Sequence, residues 1–153
     1  MDLAVEWKRP VPLKRARGRS FGFEVNEARF LPEAGIYIFA RRWGSSFEAL
    51  YIGKTAKISR RIRQHLNNLR LVRHLSEARS GRRVVIVGYP VTKGGQQMSK
   101  VLDIVERSLI RHFLSEGHDL ANKQGARIRR HAIRSSGPVP RAFVPANMFL
   151  EKR

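Results

Sequence analysis

Apolar and polar residues alternate from position 35 onward, with Ile36, Ile38 and Ala40 interleaved with Tyr37, Phe39 and Arg41 as the two faces of a β-strand. The run FEALYIG, ending at Gly53, alternates in the same way, and WGSS between the runs supplies a turn. A turn centred on Gly44 predicts a hairpin in which Ile36 faces Ile52, Ile38 faces Leu50 and Tyr37 faces Tyr51. One face is then dry, and the other brings two phenols to about 4.5 to 5.5 Å between Cβ atoms. After GKT, Ile58, Ile62, Leu66 and Leu69 recur at helical spacing, and a further short helical piece follows through LVRHLSEA. Arg61 and His65 are four apart on that first helix and so share one of its faces.

Ser80 and Gly81 break the chain before RRVVIVGY, whose continuous apolar run suits a third strand covered on both faces. The loop PVTKGGQQ leads into MSKVLDIVERSLIRHFLSEG, a long helix with Val101, Val105, Leu109 and Phe113 on one face and Gly117 as its stop. Glu106 lies mid-helix one step from that face, where a carboxylate can look inward. A turn-rich loop containing Asn122 follows. The pattern predicts an α/β fold built on a small three-stranded antiparallel sheet flanked by helices.

The two ends differ from this middle. Residues 1–20 carry two prolines and several Arg and Lys with no sustained period, which reads as a basic arm. ARIRRHAIR opens a second basic cluster ahead of a proline-containing tail.

Charge changes the picture most. Across 153 residues, 31 Lys and Arg stand against 12 acidic residues, a formal net charge of +19, far more than solubility requires of one domain. A polyanionic partner is implied, with nucleic acid ahead of an anionic membrane surface. No apolar segment is long enough to span a bilayer and no signal-peptide core follows the start, so a soluble, cytoplasmic protein with no membrane partner is expected. The absence of cysteine excludes disulfides, thiolate metal sites and a thiol nucleophile, and leaves oxygen or imidazole to hold any metal.

Singly, each polar residue of the middle has an ordinary explanation: a half-buried strand tyrosine, a solvated helix arginine, a turn asparagine. Their order along the chain does not. GIY at 35–37, YIG at 51–53, then Arg61, His65, Glu106 and Asn122 together resemble the GIY-YIG nuclease superfamily over roughly residues 33–125. The resemblance implies a catalytic domain at 33–125, preceded by an arm and lead-in at 1–32 and followed by a tail at 126–153. It also implies an endonuclease that leaves 5′-phosphate and 3′-hydroxyl ends, with Tyr37, Tyr51, Lys54, Arg61, His65, Glu106 and Asn122 as site residues and Glu106 as the metal ligand.

The chemistry of those residue types is consistent with this. Phosphodiester hydrolysis needs an activated water, charge stabilisation on the phosphoryl oxygens and help for the departing oxygen. Glu106 suits one hard cation, Mg²⁺ with Mn²⁺ able to substitute. The planar, permanently charged fork of Arg61 suits phosphoryl oxygens. Tyr37 is expected to take the water's proton, with nearby cations, Lys54 among them, lowering its pKa; His65 is the alternative base. Tyr51 would orient phosphate or water, and Asn122 would fix a catalytic neighbour. Lys14, Arg15, Arg17, Arg19, Arg127, Arg129 and Arg130 are expected to contact nucleic acid, most readily DNA, with a protein partner or a homodimer supplying specificity. The alternative is a catalytically silent nucleic-acid-binding module that keeps the fold and the charge.

Overall fold

The computed structural model describes residues 2–17, 22–121, 129–134, 136–138, 140 and 142–152. In chain order these form β1 (Ala4–Trp7), β2 (Val11–Pro12), β3 (Lys14–Arg15), β4 (Phe23–Glu24), a 3-10 turn (Glu27–Arg29), β5 (Gly35–Trp43) and β6 (Ser46–Thr55). Then come α1 (Ile58–Leu66), α2 (Leu69–Glu77), β7 (Arg82–Val91), α3 (Met98–Glu116), β8 (Arg129–Arg134) and β9 (Asn147–Lys152). Among the described residues no helix is long and apolar enough to cross a membrane.

The sheet has five strands rather than the expected three. β5 is central, with β6 on one side and β7 on the other, all antiparallel. The outer edge of β7 then takes both β1 and β2, which set Trp7 opposite Gly88 and Val11 opposite Val85. Strands of four and two residues are too short for a period of two to show through the prolines and charges around them. Pro12 is tolerated because it lies on an edge, where one side of the backbone needs no partner. A Cβ at Gly88 would meet the Trp7 ring at 2.7 Å and Val5 at 2.6 Å, so that glycine lets the N-terminal strand lie close on β7. At the other end, within the stretch read as a basic, proline-containing tail, residues 129–134 and 147–152 pair as antiparallel strands.

Both faces of the sheet are covered. Ile36, Ile38, Ala40, Ile52 and Val84 pack against Val101, Leu102, Val105, Ile110 and Leu114 of α3. On the other face Tyr37, Phe39, Leu50, Val85 and Val87 meet Ile58 and Ile62 of α1 and Leu71, Val72 and Leu75 of α2. Val11, Leu13, Phe23 and Phe30 from the N-terminal region close that second core. α1 stops at Leu66, and the Asn68 side chain accepts from the backbone N–H groups of Arg70 and Leu71 to start α2. Leu69 therefore belongs to α2 and is exposed rather than continuing the α1 seam.

The hairpin register also departs from expectation. Gly44 and Ser45 form a two-residue turn, so Trp43 pairs with Ser46. A bulge then follows: Ala40 pairs with Ala49 but Phe39 pairs with Tyr51, leaving Leu50 as the extra residue. Ile38 consequently faces Ile52, and Tyr37 faces Gly53 instead of Tyr51. The displacement totals two residues, which preserves the face of every side chain beyond the bulge. The phenols become diagonal rather than direct neighbours.

Candidate active site

The Tyr37 and Tyr51 rings lie on one face of the hairpin, nearly parallel at an interplanar angle of 14°, with centroids 6.2 Å apart. Gly53 makes this possible, because a Cβ there would overlap the hydroxyl end of the Tyr37 ring. At Gly35 a Cβ would come within 2.8 Å of the Gly88 carbonyl oxygen and 3.0 Å of Ile58, so this glycine brings the start of α1 hard against the strand. The two glycines thus set, respectively, where the Tyr37 ring rests and where α1 begins.

α1 turns His65 inward onto the phenols. His65 is 6 % exposed and Tyr37 1 %. The Tyr37 hydroxyl lies 2.6 Å from His65 Nε2, and the imidazole ring sits 4.8 Å from the Tyr51 ring. Burial, reinforced by the charge of Arg61, lowers the His65 pKa to about 4. Burial pushes the Tyr37 phenol well above its ordinary range, the Tyr51 phenolate would add to this, and a hydrogen bond and charge from Arg61 oppose it. Tyr51 is likewise raised by burial against the pull of Arg61. At neutral pH the phenol is therefore protonated and the imidazole neutral, so Tyr37 donates and Nε2 accepts, leaving the imidazole proton on Nδ1.

This corrects the expectation that neighbouring cations lower the Tyr37 pKa. Burial outweighs them, and the cation acting on the phenol is Arg61 rather than Lys54. Arg61 itself is exposed on α1, donating to the Gln64 side chain at 3.3 Å.

Lys54 faces the other way. It pairs with Ile36 and stands on the α3 side of β6, where its ammonium lies 2.8 Å from Glu106 and also bonds Asp103. Those carboxylates, Asp103 first, hold the Lys54 pKa above its usual value, and Lys54 holds Asp103 below the ordinary carboxylate range. The Glu106 charge is also felt by both phenols, raising each. The two halves of the site thus share one electrostatic field although they hang from opposite faces of the sheet. Sequence reasoning missed Asp103. Its signal was the DIVE tetrapeptide, which sets two carboxylates one helical turn apart.

Of the remaining expected residues, Lys14 and Arg15 are exposed in β3, and Arg17 lines a cavity of about 400 Å³ with Arg63 and Asn67 of the α1 region. Arg129 and Arg130 fall in β8. Asn122, Arg19 and Arg127 lie outside the described residues. The backbone N–H of Ala121 donates to the Leu50 carbonyl at 2.7 Å, which ties the chain after α3 to the bulge beside Tyr51. A separate cavity of about 570 Å³, lined by Glu48, His74, Glu77 and Asp119 among others, shares none of the site residues. Its carboxylates have the wrong sign for a polyanion.

A model of the GIY-YIG catalytic domain matches residues 33–119. Comparison with curated proteins and with solved structures gave no match.

Proposed function

Since the chain belongs to the GIY-YIG nuclease superfamily, we propose that it is a metal-dependent endonuclease that hydrolyses phosphodiester bonds in DNA, leaving 5′-phosphate and 3′-hydroxyl ends. The observation that carries the reading is the buried 2.6 Å hydrogen bond between Tyr37 and His65 within the field of Arg61. An aromatic core has no need of a proton-transfer pair that burial makes costly to charge.

The donors fit a hard divalent cation. Among the described residues no group of three or more His, Asp or Glu stands together to hold a metal by itself. What the site has instead is Glu106 and Asp103 sharing one cation, the Lys54 ammonium. A half-buried glutamate whose one neighbouring carboxylate is held by a lysine suits Mg²⁺, which keeps several waters and binds through one or two carboxylates plus substrate phosphate, and Mn²⁺ can substitute. Glu106 would hold it, and Lys54 would keep Asp103 as its partner. The bound ion would neutralise charge on the departing 3′-oxygen.

The chain's own residues supply the rest. A water oxygen attacks phosphorus as the bond to the 3′-oxygen breaks. The water proton passes to the Tyr37 oxygen while the Tyr37 proton moves to His65 Nε2, and the 3′-oxygen is protonated from solvent. In this arrangement Tyr37 is the group that meets the water and His65 is the acceptor behind it, kept free of protons across the neutral range by its low pKa. An imidazolium of that acidity releases its proton to solvent between turnovers. Arg61 meets the phosphoryl oxygens, Tyr51 orients water or phosphate, and Asn122 fixes a neighbour through hydrogen bonds. Lys14, Arg15, Arg17, Arg19, Arg127, Arg129 and Arg130 contact phosphates outside the reacting bond. A protein partner or second copy adds specificity.

Incubation of supercoiled plasmid with the protein and Mg²⁺, with and without chelator, tests the reading. Nicking that chelator abolishes, with ends that ligase reseals directly, is the expected result. Tight binding with no cleavage under any divalent cation would instead make the protein a silent binding module.

A further inference from the structure

The far end of the β5–β6 hairpin is built unlike an ordinary sheet edge. Gly44 takes a positive φ of 59° while Ser45 does not, a tight turn with glycine in its first central position. Beside the turn, Trp43 and Phe47 remain 43 % and 38 % exposed. Trp43 follows the face of Tyr37 and Phe39, while Phe47 pairs with Arg42 and so follows the opposite, α3-covered face. One large ring thus flanks each side of a narrow tip, and around Gly44 there is open space.

Both rings are held rather than loose. Arg41, itself buried, bonds Glu48 at 2.6 Å and the Ser80 carbonyl at 2.9 Å, and its guanidinium covers the Trp43 ring at 3.8 Å. Arg42 donates to the Gly44 carbonyl at 3.2 Å and lies 5.2 Å over the Phe47 ring. Arg41 thus ties the Trp43 ring to the body of the protein, and Arg42 ties the Phe47 ring to the turn.

The charge at the tip has the sign of a site for polyanions. Arg42 stands directly opposite Arg82, a like-charge cross-strand pair that costs stability. Among the described residues no carboxylate pairs with either, whereas Arg41 is neutralised by Glu48. Aromatic rings set among unpaired arginines are what single-stranded nucleic acid uses: every base has a face to stack, and the backbone follows the cations.

We propose that this tip is a wedge for a junction between duplex and single strand, with Trp43 and Phe47 each stacking on an end base and Arg42 and Arg82 holding the flanking phosphates. The inference rests on the reading of the protein as acting on nucleic acid and names its substrate as forked or flapped DNA. Trp43 stands six positions along β5 from Tyr37, about 20 Å at the usual rise, which for a duplex laid along that strand is the length of about six base pairs. Cleavage is therefore expected about six base pairs from the fork.

Binding in the presence of chelator isolates this inference from catalysis. The full-length protein is titrated against a forked duplex and a linear duplex of the same sequence, and the fork is expected to bind tighter. The double variant Trp43→Ala/Phe47→Ala should lose about tenfold or more on the fork while keeping its linear affinity within about twofold. Trp43→Leu/Phe47→Leu, which keeps apolar bulk without a stacking ring, should behave the same way. Equal wild-type affinity for fork and linear DNA overturns the wedge, as does a double variant that weakens both equally. Plasmid nicking with no fork preference would overturn the wedge and leave the nuclease standing; fork preference with no cleavage under any cation would do the reverse.

Discussion

The two halves of the site hang from opposite faces of the same strand end, and they differ in how much water reaches them. Tyr37 and His65 are almost wholly buried between β5 and α1, where burial moves both away from their charged forms. Lys54 and Asp103 lie exposed on the α3 side beside the half-buried Glu106, where ion pairs dominate and favour the charged forms of Lys54 and Asp103. Proton transfer needs neutral partners in a fixed geometry, which burial provides. Binding a hydrated ion needs a charged ligand that water can reach, which burial would forbid. The edge strand β6 lets one site have both environments, because residues of alternate parity along it face different cores.

If that division holds, removing the Glu106 carboxylate should have the largest effect. Glu106→Ala is expected to abolish metal-dependent cleavage while affinity for DNA stays within a few-fold, since the arginines are untouched. A variant that still cleaves near the wild-type rate would take the ion away from Glu106.

On the buried side the loss should be smaller but severe. Removing one preorganised charge-stabilising group costs roughly 100- to 1000-fold in rate, and Arg61→Ala should fall in that range with little change in folding, because Arg61 is exposed. Tyr37→Phe removes the hydroxyl and keeps the packing, so a comparable loss in single-turnover rate is expected. Full activity in Tyr37→Phe would reduce the phenol to a packing role and leave His65 to meet the water directly.

The low His65 pKa also predicts how the fold responds to acid. His65 binds its proton less readily folded than unfolded, so between the ordinary value near 6.5 and about 4 the unfolded chain holds more protons, and stability falls as pH falls through that window. The contribution is at most about 3 kcal/mol. His65→Phe keeps a buried ring without the titration. Urea melts of both proteins across this range should show the wild type losing stability relative to the variant on acidification, and parallel curves would mean that the imidazole is not held neutral.

The same contrast explains what could be read from the chain. The hairpin, the β7 run and the long helix were legible because each is long enough for its period to declare itself, and the face of both tyrosines survived a register error because that error was two residues. The turn itself was legible at WGSS, but its two-residue form and the Leu50 bulge behind it were not, since one extra residue leaves no trace in an alternating pattern until the partner strand is known. β1 and β2 were hidden by their shortness. They also change how the basic arm must be tested: deleting residues 1–19 would strip two strands from the sheet, so Lys14, Arg15 and Arg17 are better neutralised in place. The direction of the Tyr37 shift was illegible because alternation suggested one dry face, whereas helices cover both.

Asp103 offers the finest test of the exposed half, and its expected effect is the smallest. Its carboxylate shares Lys54 with Glu106 but is itself exposed, so its ion pair contributes little to stability, as surface pairs do. Asp103→Asn should leave the fold unchanged. With that charge removed, Lys54 is committed to Glu106 alone, and the local field attracts a divalent cation less. Both changes act in the same direction, so the Mg²⁺ concentration for half-maximal cleavage should rise, by no more than about fivefold given the worth of an exposed pair. The maximal rate at saturating Mg²⁺ should stay within about twofold, because Asp103 touches no reacting atom. A Mg²⁺ titration of the variant against wild type reads both quantities at once. If the maximal rate instead falls by a factor comparable to that for Arg61→Ala, Asp103 is a ligand in its own right, and the ion sits between two carboxylates rather than on one.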